Sequence, residues 1–71
     1  MFTLTLTTAS RTVVASSIFS AFADALAEGA EWCELSTQDA LESGSWADAQ
    51  DGRLFRGGYG EPTAFEILAA D

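Results

Sequence analysis

Residues 10–29, SRTVVASSIFSAFADALAEG, decide the fold. At about 100° per residue, Val14, Ile18, Phe19, Ala21, Phe22, Ala25 and Leu26 fall on one arc, while Ser16, Ser20, Ala23, Asp24, Ala27 and Glu28 occupy the other. Ser10 stands where an N-cap is needed and Gly29 where a helix can end. The stretch predicts one long amphipathic helix from Ser10 to about Glu28.

Upstream, Phe2, Leu4 and Leu6 alternate with Thr3, Thr5 and Thr7, the period-2 pattern of a strand with one buried face, so residues 2–8 are expected as a strand. Downstream, Trp32 to Leu35 reads as a short second strand. Two brief segments then share one grammar, Ser36 with Asp39 and Gly44, and Ser45 with Asp48 and Gly52: serine as N-cap, an acid three residues on, glycine as terminator. Both are expected as short helices. The competing reading of the second makes Asp51-Gly52 a hairpin turn pairing 46–50 with 53–57. Arg53–Arg56 and Thr63–Ala70 read as closing strands joined by a Gly57–Pro62 turn, with Phe65 and Ile67 inward.

The expected architecture is α+β: a single domain over residues 1–71, with a small three- or four-stranded, mainly antiparallel sheet packed against one long amphipathic helix and one or two short helices. Phe2, Leu4, Leu6, Ile18, Phe22 and Leu26 form the expected core, with Cys33 a small buried hydrophobe. A chain this short buries only about 60% of its unfolded surface. With one cysteine and no histidine it has neither a disulfide nor a zinc site as a staple, so a homodimer or another partner is expected to supply what the core does not.

Lysine, histidine and asparagine are absent. Without histidine there is no imidazole base for a serine or cysteine nucleophile and no imidazole metal ligand. The glycines at 57, 58 and 60 lack the lysine and spacing of a phosphate loop, and an EF-hand anchored on Gly52 would place alanine at 47 and 49 and glycine at 58, where ligands are needed. The reading is a non-enzyme with no cofactor and no metal. No run approaches the roughly 18 apolar residues of a membrane span. The apolar stretch before Ala21-Phe22-Ala23 is interrupted by Ser16 and Ser17 and has no charge before Arg11, so a secretory leader is not expected and the chain is placed in the cytoplasm.

Eleven acids face three arginines, a formal charge of -8, and the first 23 residues hold none of the acids. That balance disfavours nucleic acid and anionic membranes and favours a basic protein surface. Asp24 and Glu28 share the solvent arc of the helix, Glu31 and Glu34 follow at its exit, and Asp39 and Glu42 lie three apart on the next helix. These six are the expected partner-binding ridge. A folded chain of this length spans roughly 25 Å, over which duplex DNA presents about fifteen phosphates. The expectation is an inhibitor that occupies the basic surface of a nucleic-acid-binding protein as a nucleic-acid mimic. In size and charge alone the chain resembles small phage-encoded inhibitors of restriction and CRISPR systems. The alternative is a small structural or assembly subunit, with an apolar patch at Trp32, Trp46 or Tyr59 and acids that serve solubility or high-salt adaptation.

Overall fold

In the computed structural model, which describes residues 1–58 and 63–70, strand β1 runs Phe2–Thr8 and strand β2 Val13–Phe19. Helix α1 (Phe22–Trp32) and helix α2 (Thr37–Glu42) follow, then strands β3 (Ser45–Ala49), β4 (Gly52–Gly57) and β5 (Thr63–Ala69). All pairings are antiparallel, in the order β2-β1-β5-β4-β3. The expected three- or four-stranded sheet under one long helix is therefore replaced by a five-stranded antiparallel sheet carrying an eleven-residue helix and a six-residue helix.

The difference begins in residues 10–21. Ser10 caps a hairpin turn instead of a helix: Thr8 Oγ1 and Ser10 Oγ lie 3.0 Å apart, Ser10 Oγ and Thr12 Oγ1 3.1 Å, and the Thr12 N–H donates to Thr8 Oγ1. Arg11 takes φ 65° and donates its N–H to the Thr8 carbonyl, a three-residue loop with its last residue left-handed. Thr12, Val13, Val14 and Ile18 are β-branched and lose side-chain freedom in a helix, so backbone pairing with β1 wins over the helical arc. Only from Phe22 does the alanine-rich run FADALAEGAEW favour helix.

Residues expected elsewhere move accordingly. Gly29 lies buried inside α1, and Trp32 ends that helix instead of opening a strand. Ser36 does cap a helix, accepting the Asp39 N–H at 3.1 Å, but 45–49 is strand β3, paired with β4 around Gln50–Asp51. The turn lies one residue earlier than the competing hairpin reading placed it. The Tyr59–Pro62 part of the expected turn falls outside the described residues.

Alternation assigns the two sheet faces. Leu4, Phe55, Phe65 and Ile67 are buried on one face, joined with Ala25, Leu26, Ala30 and Cys33 from α1 and its end and Ala40 from α2, so both helices cover the same side. Phe22 lies against Phe2, Trp46 and Phe55 at centroid distances of 5.9, 5.3 and 5.5 Å and ties the start of α1 across the sheet. Ile18, expected in the core, is 66% exposed on the opposite face. Ile18→Ala is therefore expected to change the unfolding free energy of dilute protein by no more than about 0.5 kcal/mol in urea titrations, and a loss of several kcal/mol would place it in the core after all.

Candidate functional site

The two helices run as polar-faced rods over the sheet, and their ends fix where the charge sits. Asp24 is the third residue of α1 and Asp39 the third of α2, where a carboxylate meets the positive end of the helix dipole. Folding accounts for both. Glu28 follows one turn after Asp24, and Glu31 lies in the last turn of α1.

Glu34 closes α1 in an unusual way. Its N–H donates to the Glu31 carbonyl and the Leu35 N–H donates to the Ala30 carbonyl, a Schellman closure in which the left-handed residue is usually glycine. Here it is glutamate at φ 57°. Glu42 is the last residue of α2, with Gln38 Nε2 donating to its Oε1 at 3.5 Å. Neither helix carries a basic residue in its last turn.

These C-terminal ends meet. Cys33, the residue capping α1, has its Sγ at 2.9 Å from where a Cβ on Gly58 would lie, and Ser43, capping α2, accepts the Gly58 N–H on its Oγ at 3.1 Å. Trp32 Nε1 donates to the Thr7 carbonyl and Cys33 Sγ to the Thr63 carbonyl, which anchors the end of α1 over the same end of the sheet. The C-terminal ends of both helices thus lie against Gly58, and Glu31, Glu34 and Glu42 stand in or just after the last turns that end there. Among the described residues no three Asp, Glu or Cys side chains gather closely enough to hold a metal ion, so the arrangement is a spread field and not a chelate.

All six acids expected as a ridge, Asp24, Glu28, Glu31, Glu34, Asp39 and Glu42, are exposed and belong to the helical layer or the turn leaving it. They divide into Asp24 and Glu28 along α1, Asp39 in the first turn of α2, and Glu31, Glu34 and Glu42 in or just after the last turns of the two helices. Glu28 and Glu31 also line a shallow groove of about 300 Å³ with Leu6 and Trp32 on the flank of α1.

The sheet's other face is different in kind. Register aligns Ile18, Thr3, Leu68, Leu54 and Ala47 in one row across all five strands, and Ser16, Thr5, Glu66, Arg56 and Ser45 in the next. Glu66 is the one acid among the described residues on that face, and it accepts from Arg56 Nε at 2.7 Å. Of the residues considered from sequence for an apolar patch, Trp32 is half-buried, Trp46 packs on Phe22 and Phe55 beneath the Arg53 guanidinium and stays 39% exposed, and Tyr59 lies outside the described residues. Sequence reading missed this face because two of the five strands that supply each row, β2 and β3, were read as helix. Comparison with protein-family models, curated proteins and solved structures finds no match to this chain.

Proposed function

We propose that this protein is a non-catalytic acidic binder, acting in the cytoplasm, whose helical layer occupies the basic surface of a nucleic-acid-binding protein and blocks it as a nucleic-acid mimic. The observation that carries the reading is the placement of Glu31, Glu34 and Glu42 at the negative ends of both helices, one of them in a left-handed conformation. Carboxylates in such positions cost stability, and residues held against local preference concentrate where a protein meets its ligand.

Scale supports the same partner. The molecule extends 30 Å in its longest direction. Over that length one strand of a duplex, with a phosphate every ~3.4 Å, presents about nine charges. Six carboxylates and two helix poles approach the charge of one strand without matching a whole duplex. Among the described residues the second sheet face holds one acid, Glu66, paired with Arg56, which supports a directed acidic surface over the even distribution expected of high-salt adaptation.

The test is capture on immobilised protein from lysate of its host, eluted in salt steps and, in parallel, with duplex DNA. The expected result is a basic nucleic-acid-binding protein released by either eluent, whose binding to labelled duplex this protein then inhibits when both are purified. Retention of a partner indifferent to salt and to DNA would overturn the reading.

A further inference from the structure

We infer that the uncovered sheet face is a self-association surface, and that two copies pack it face to face as a four-layer sandwich with the acidic helices outside. Ile18 and Val13 on this face are 66% and 60% exposed, and Leu54, Leu68 and the β-branched Thr3, Thr5 and Thr7 lie between them and the exposed Ala47. Its charges are the Arg56–Glu66 ion pair and Arg11, which lines a groove with Val13, Arg56 and Glu66 at one end of the face, so in a chain of net charge -8 this face carries no net negative charge. Under a two-fold axis each pair meets the reversed pair of the other copy, so the face is complementary to itself.

Electrostatics selects the second copy and its arrangement. Sheets pack about 10 Å apart and each helical layer lies about 10 Å beyond its sheet, which holds the two acidic layers on the order of 30 Å apart, several Debye lengths at physiological salt. Pairing through the free edge of β2 instead brings together the α1 flanks that carry Glu28 and Glu31. The area also suffices: five strands at ~4.8 Å by about six residues at ~3.3 Å give on the order of 500 Å² per copy and about 1,000 Å² for the pair, the lower bound for a specific interface. The inference stands apart from the proposed partner, since the dimer leaves the helical layer accessible.

The test is sedimentation of the whole protein over about 1 to 100 µM, which spans the dissociation constant of a micromolar dimer and of one tenfold weaker. The expected mass at the top of that range is twice the 7.5 kDa of the chain. Ile18→Glu and Ala47→Glu sit at opposite edges of the same face, on exposed positions that leave folding intact by circular dichroism. Each is expected to weaken dimerisation by about tenfold or more. Leu41→Glu, 47% exposed on α2, adds the same charge to the helical layer and is expected to change it less than about twofold. A monomeric wild type overturns the inference. So does loss of the dimer in only one of the two face variants, which points to edge pairing, or equal loss in all three, which points to net charge.

Discussion

Phe65→Ala is expected to leave the chain largely unfolded at 25 °C, and Gly29→Ala to destabilise it despite putting a better helix former in a helix. Phe65 is fully buried on the central strand β5, and its ring fills the space of two absent side chains. A Cβ on Gly29 would lie 2.7 Å from the ring carbons, and one on Gly57, its cross-strand partner, 2.4 Å from the ring tip. Truncating a buried phenylalanine costs about 3 to 5 kcal/mol. A single core in a chain of this size rarely supplies more than about 3 to 5 kcal/mol, so the loss is comparable to the whole stability. Gly29→Ala gains about 1 kcal/mol of helix propensity but forces a clash with a ring that β4 and β5 hold from below, and overpacking of this kind costs about 1 to 3 kcal/mol. Urea denaturation checks both, and the pair makes a cycle: in a Phe65→Leu background, where the ring is gone, Gly29→Ala should be neutral or stabilising. Equal Gly29→Ala penalties in both backgrounds would show that the ring is not what excludes the methyl group.

That contact also marks the limit of what the sequence could convey. Strand β1 and the inward Phe65 and Ile67 are legible because their alternation is imposed by a sheet with one wet face, and α2 is legible through its Ser36 cap. Gly29 read as a helix terminator, because the reason for glycine lies in a ring 36 positions later. Strand β2 misled more deeply. As an edge strand exposed along almost its whole length it buries little and carries no enforced alternation, so its apolar residues fitted a helical arc by accident of spacing. The hairpin that creates it has Arg11 where glycine would have announced a left-handed turn, and α1 begins at Ala21 without a side-chain cap. The acids were legible as a group, since they cluster in sequence from residue 24. Their opposition to the helix dipoles was not, because ending the helix near Glu28 left Glu31 outside it.

That opposition gives the second large effect. The combined reversal Glu31→Lys, Glu34→Lys and Glu42→Lys is expected to stabilise the fold while weakening capture of the basic partner by tenfold or more, about 1.4 kcal/mol. Each reversal puts a cation at a negative helix end, for about 0.3 to 1 kcal/mol at low salt. The gain should raise the melting temperature, at roughly 4 to 8 °C per kcal/mol for a domain of this size. Glu34→Gly isolates the backbone contribution: relieving a left-handed glutamate is expected to stabilise by about 1 kcal/mol with loss of one charge only. The matching control is Asp48→Lys, Asp51→Lys and Asp71→Lys, which alters the formal charge of -8 by the same six units but acts at the β3–β4 hairpin and at position 71. If net charge alone attracts the partner, both triple variants lose it equally. If the helix ends are the contact, the first loses it and the control keeps most of its affinity, with the gap widest at low salt. A first variant that is more stable and still binds as wild type would mean that these three glutamates are held against their helices for some purpose other than a basic partner, and the mimic reading would fall with it.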